Sequence, residues 1–127
     1  MFRRLIKPVY AHCDLPCGVY DPAQAKIEAQ SVLAIMEKYN GLDEHNKMRA
    51  ILIKEQRAEL VKHHLWVLWT DYFKPEHLEK HPDLHDKFWR ATKQAGECKH
   101  QFNPEEAKKL LALVDEIEEI FWETKKA

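Results

Sequence analysis

Asp43-Glu44-His45-Asn46-Lys47-Met48-Arg49-Ala50-Ile51-Leu52-Ile53-Lys54-Glu55-Gln56-Arg57-Ala58-Glu59-Leu60-Val61-Lys62-His63-His64-Leu65-Trp66-Val67-Leu68-Trp69-Thr70-Asp71-Tyr72 contains neither proline nor glycine. Met48, Ile51, Leu52, Glu55, Leu60, Val61, Leu65, Leu68 and Tyr72 recur at helical spacing. The simplest reading is one continuous helix from about Asp43–Asn46 to Tyr72, stopped by Pro75.

The flanking segments follow the same pattern. Asp21-Pro22 is a helix start, an acidic cap with proline at the first helical position. Ile27, Val32 or Leu33, Ile35, Met36 and Tyr39 form its stripe, and Asn40-Gly41 signals its end. Beyond Pro75, residues 75–78 suit a short helical turn. Pro82-Asp83 restarts the chain, and Leu84, Phe88, Trp89 and Thr92 mark a third main helix. Gly96 is its expected end, with a loop over 97–102. Asn103-Pro104-Glu105-Glu106 opens a fourth helix with an Asn cap, a proline and a glutamate placed to reach back. Ala107, Leu110, Leu111, Val114, Ile117 and Phe121 carry its stripe to about Lys125-Lys126. The fold class is therefore all-α, an antiparallel four-helix bundle.

Composition narrows the function. The chain has 127 residues, enough for one domain with a real core. A formal net charge of −1 gives no global field pointing to nucleic acid. No apolar run is long enough to cross a bilayer, and Leu5-Ile6 is too short for a secretory signal. Three cysteines are an odd number, which argues against a disulfide scaffold. Cys98 stands alone and reads as an ordinary helix or loop residue.

The chemistry concentrates before the first helix, in His12-Cys13-Asp14-Leu15-Pro16-Cys17-Gly18-Val19-Tyr20. Two thiols and an imidazole in so short a space point to a transition metal: copper, zinc, nickel or iron. A reducing cytosol would keep the thiols free for metal. No second cysteine pair completes a tetrahedral zinc site.

These nine residues resemble the metal-binding hook of the nickel-containing superoxide dismutases. The resemblance extends through Asp21–Glu28 and returns at Ile53–Leu60, Lys62–His64, Leu68–Pro75 and Ile120–Ala127. It implies a superoxide dismutase that cycles one nickel ion per subunit between divalent and trivalent states, making oxygen and hydrogen peroxide. It also implies the ligands. Cys13 and Cys17 give two sulfurs, Cys13 its backbone nitrogen, and His12 its α-amino group, with the His12 imidazole axial in the oxidised state. Anionic sulfur and amide donors lower a nickel potential that is otherwise too high for this reaction. A cis bond is expected between Leu15 and Pro16. Gly18 permits a backbone conformation closed to other residues.

Around the metal, the resemblance gives Glu28 and Arg57 the orientation of the imidazole. Tyr20 and Tyr72 narrow the approach, and Asp14 orders the hook. Lys74 is a candidate for attracting the superoxide anion. The proton donor stays open among Tyr20, a coordinated thiol and water. Met1–Ala11 becomes a propeptide, residues 12–127 the bundle domain, and residues 12–20 its hook. A cytoplasmic homohexamer is implied, with a processing protease and a nickel delivery factor as partners. The competing readings are a noncatalytic nickel or copper binding or sensing bundle, and a metal-free thiol switch. His77, His81 and His85 recur at four-residue spacing, but Pro82 breaks the helix that would align them as a second metal site. The tryptophans Trp66, Trp69, Trp89 and Trp122 read as core or subunit contacts.

Overall fold

The computed structural model describes residues 18–126. His12, Cys13, Asp14, Cys17 and the Leu15–Pro16 bond lie outside that range. The described chain forms α1 (Ala23–Lys38), α2 (Glu44–Val67), α3 (Pro75–Lys80), α4 (Leu84–His100) and α5 (Pro104–Lys126). The four long helices pack in the cyclic order α1, α2, α4, α5, each against two neighbours. Short connections make consecutive members antiparallel, and α3 spans the link from α2 to α4.

The starts follow the expected chemistry. The Asp21 carboxylate accepts from Ala23 N–H at 2.8 Å, and Asp43 accepts from Asn46 N–H at 2.8 Å. Asn103 does the same for Glu105 N–H at 3.1 Å. Each satisfies a donor that the first helical turn leaves open. Glu106 does not reach back to Asn103. Its carboxylate takes the Gln94 side-chain amide at 2.7 Å and Lys109 at 2.9 Å, which ties α5 to α4.

Three expectations are corrected. Gly96 does not end the third main helix, and the expected loop over 97–102 shrinks to 101–102, because α4 continues to His100. A β-carbon at Gly96 would lie 3.4 Å from Lys62 Nζ, so the glycine leaves room for a side chain from α2. Continuing the helix also buries Cys98 completely, which offsets the roughly 1 kcal/mol a helical glycine costs.

The second concerns the core. Met48 and Leu52 are 69% and 64% exposed, and Ile27, Ile51 and Trp89 are exposed as well. The inward face of α2 is Ala50, Lys54, Ala58, Val61, Leu65 and Leu68. It meets α1 along Ala25, Ala29, Val32 and Met36. Alanines on both sides let the helices approach, so small side chains occupy the seam and bulky ones point outward.

The third concerns the end of α2. Residues Leu68–Tyr72 form a π-helical turn, and Phe73 N–H bonds to Leu68 O at 3.0 Å. The wider turn rotates the last residues relative to the stripe above them. It delivers Tyr72 and Phe73 onto the core formed with Phe88 and Phe121.

Lys54 is 3% exposed on the inward face of α2. Its ammonium donates to the carbonyls of Lys99 at 2.9 Å and Gln101 at 3.0 Å. It also lies 4.8 Å from the Phe102 ring centroid. Removal from water pushes its pKa down. The cation caps the negative end of α4 from a neighbouring helix.

Candidate functional site

Gly18, Val19 and Tyr20 carry the chain from the hook onto the bundle. Gly18 has φ of +66°, a left-handed conformation that a side chain would strain. The turn aims Tyr20 at the end of α2. Its ring lies 5.5 Å from that of Tyr72, tilted by 52°, and its hydroxyl oxygen is buried. Tyr20 and Gln24 form one wall of a cavity of about 200 Å³, and His64 and Leu68 form the other.

Tyr72 is held on several sides. Its ring packs 4.5 Å from Phe121 and stacks on His77 at 5.7 Å and 15°. Its hydroxyl is 2.6 Å from Thr124 Oγ1. Burial pushes His77 below the ordinary imidazole range, and its Nδ1 accepts from Lys74 N–H at 3.0 Å. Lys74 thus starts α3 beside the tyrosine pair.

Glu28 and Arg57 face each other across the α1–α2 seam. One guanidinium nitrogen, Nη1, bridges both carboxylate oxygens at 3.2 and 3.1 Å. The Glu28 side chain is 14% exposed. A single nitrogen occupies part of the carboxylate's accepting capacity, so lone pairs remain for a second donor such as an imidazole N–H. Glu28 is one turn along α1 from Gln24, on the same face. Arg57 is two turns along α2 from His64. The cavity and the ion pair therefore lie along one seam.

The structure thus brings Tyr20 to Tyr72 and Glu28 to Arg57. His12, Cys13, Asp14 and Cys17 lie outside the described residues. The donor set they offer, two thiolates and an imidazole, suits a transition metal, and a partly buried carboxylate beside the seam suits a metal-bound imidazole. The sequence did not single out Gln24 and Thr124, which interrupt no pattern. His64 was visible only as part of the block Lys62–His64, with no role of its own.

No second metal centre forms among the described residues, where no group of three or more His, Cys, Asp or Glu is placed to hold an ion. His81 bonds toward Glu123 at 3.3 Å, and His85 lies against Trp69 at 5.4 Å. Cys98 is fully buried, and burial raises its thiol to about 11. It is an inert core residue. No described helix is long and apolar enough to cross a membrane.

Comparison with known proteins bears on this arrangement. The family model of nickel-containing superoxide dismutase matches residues 7–125. Superoxide dismutase [Ni] of Streptomyces seoulensis is 56% identical over 131 aligned positions, covering all of both chains. That of Streptomyces coelicolor is 55% identical, again over the whole of both. A native nickel superoxide dismutase structure superposes with a TM-score of 0.88 at 56% identity, covering 91% of this chain and all of that one. An apo structure superposes with a TM-score of 0.84 at 54% identity, covering 87% of this chain and all of that one.

Proposed function

The chain belongs to the nickel-containing superoxide dismutases, and from that premise we propose that His12, Cys13 and Cys17 hold one nickel ion per subunit. The reaction of this enzyme class takes two superoxide anions and two protons to oxygen and hydrogen peroxide. Nickel, when bound, supplies the one-electron exchange between its divalent and trivalent states. The thiolates of Cys13 and Cys17, the backbone nitrogen of Cys13 and the amino and imidazole nitrogens of His12 would hold it.

The remaining residues set the surroundings. Glu28 accepts from the His12 imidazole and fixes its orientation, while Arg57 holds that carboxylate in place. Tyr20 and Tyr72 narrow the approach so that only a small anion enters. Asp14 orders the hook through its backbone, and Lys74 adds a cation near the entrance. The noncatalytic metal-binding alternative is not favoured, because the full-length relatives are dismutases. The observation that carries the proposed site is the Glu28–Arg57 pair, set on the α1–α2 seam with accepting capacity to spare.

The active chain begins at His12. The native structure leaves about a tenth of this chain unmatched, a share the size of Met1–Ala11, whereas the curated relatives match it whole. This cleavage calls for a processing protease, and a nickel delivery factor is a further candidate partner. Exposed Trp66, Trp89, Trp122, Met48 and Leu52 supply apolar surface for a homohexamer, and free thiols at the hook suit a reducing cytoplasm.

The test is replacement of Cys13 or Cys17 by serine in the chain beginning at His12, loaded with nickel under reducing conditions. Superoxide turnover should be lost while helical circular dichroism stays unchanged, because Cys13 and Cys17 precede the first helix in the sequence. Full turnover in either variant would refute the thiolate site.

A further inference from the structure

We propose that Thr124, in the last turn of α5, is a positioning residue for the superoxide reaction, holding Tyr72 as a wall of the approach rather than as a proton donor. This rests on the placement of Tyr72 at the substrate approach given above.

A threonine hydroxyl has one proton to donate and two lone pairs to accept with. Thr124 Oγ1 lies 2.6 Å from the carbonyl oxygen of Phe121, which can only accept. The Thr124 proton is therefore spent on its own helix. At the 2.6 Å contact with Tyr72, Thr124 must be the acceptor and the phenol the donor. The one acidic proton of Tyr72 thus points into α5.

The ring has no freedom to undo this. Phe121 at 4.5 Å, Phe73 at 5.1 Å and the stacked His77 at 5.7 Å confine it. Lys125 Nζ sits 5.1 Å from its centroid, a favourable contact with the π-face. The remaining neighbour is Tyr20 at 5.5 Å. A cleft of about 480 Å³ bordered by His77, His81 and Glu123 opens beside Thr124. Solvent there would compete for the phenol if the threonine acceptor were absent. The C-terminal turn of α5 thereby divides the labour of the two tyrosines. Tyr72 gives shape, and proton supply stays with Tyr20, a coordinated thiol or water.

Thr124→Val keeps the shape and removes the acceptor; Thr124→Ser keeps the acceptor. Two readings are taken on each. The first is the ¹³Cζ chemical shift of Tyr72 in metal-free protein labelled at tyrosine. The second is inhibition by azide, an anion larger than superoxide, in the nickel-loaded chain beginning at His12. In the valine variant, the Cζ signal should move toward that of a water-bonded phenol. Azide should inhibit at about threefold lower concentration or less, as a loosened wall no longer excludes it. The serine variant should restore both. In a Tyr72→Phe background, Thr124→Val should have no further effect on azide inhibition.

An unmoved Cζ signal would show that Thr124 does not take the proton. A moved signal with unchanged azide inhibition would show a bond without a positioning role. A parent chain that binds nickel yet turns over no superoxide would refute the dismutase reading instead, and the metal-free Cζ measurement separates that failure from failure of the Thr124–Tyr72 bond.

Discussion

Glu28 shows at the scale of one residue how a surface-like letter becomes a site. On α1 it would read as one more solvated carboxylate. The fold removes most of its exposure and gives it one partner, Arg57, on the adjacent helix. A carboxylate in that setting has something to orient. Glu28→Ala should therefore lower turnover per bound nickel by about 10–100-fold, the usual effect of losing a group that orients a metal ligand. Nickel content should change less than turnover. Both are measured on the same preparation, by metal analysis and by superoxide decay. Unchanged turnover per nickel would remove Glu28 from the mechanism. Nothing in the periodicity of α1 distinguishes Glu28 from Glu37. Only the resemblance did so, with Arg57 named beside it, and the structure supplies the contact between the two.

At the scale of elements, the helix starts were legible and the helix seams were not. Asp21, Asp43 and Asn103 announce their helices because capping is local chemistry, decided within four residues. Gly96 misled because its usual meaning as a stop is also local, whereas its use here is to leave room for Lys62. The stripe of α2 misled in the same way. Met48 and Leu52 look like core, but the inward face is built on Ala50 and Ala58, and on Lys54, which no hydrophobic pattern would nominate. The π-helical turn that presents Tyr72 likewise has no mark in the sequence.

Lys54 gives this scale its test. Lys54→Met keeps the stem and removes the charge that two carbonyls accept from. It should reduce stability by about 1–3 kcal/mol in urea unfolding, the range for leaving buried polar groups unmatched. Amide exchange should also quicken in the last turn of α4. A variant as stable as the parent would mean that the desolvation of the ammonium cancels its bonds.

Cys98 provides a second test on the same helix. Burial pushes its folded thiol up to about 11, above the ordinary value of 9.0. The folded chain therefore holds more protons than the unfolded chain between those values. The stabilising contribution is complete below about pH 9 and is lost as pH rises through about 11. Urea midpoints measured at pH 8 and pH 10.5 should fall less steeply with pH in Cys98→Ala than in the parent. Equal slopes would show that the thiol ionises as readily in the folded chain as in the unfolded one.

At the scale of the whole molecule, the bundle is the mount and the proposed chemistry sits on its N-terminal attachment. This division explains why the nine-residue hook identified the function while the helices identified only the architecture. On the proposed ligand set, the extension acts as a switch. While Met1–Ala11 is attached, the nitrogen of His12 is an amide and donates to a metal only by losing its proton. Cleavage releases an amine with a pKa of roughly 7.7–8.0, available at modest proton cost. The uncleaved chain should bind nickel weakly and turn over little superoxide. Equal turnover per nickel, with the extension intact by mass spectrometry, would show that the amine is dispensable.

The most direct measurement is the decay of a superoxide pulse, followed optically, with the chain beginning at His12 at known nickel content. The account predicts catalytic decay whose rate rises in proportion to bound nickel, saturates at one ion per subunit and vanishes from the metal-free chain. Decay that is no faster with one nickel per subunit than without metal would contradict it.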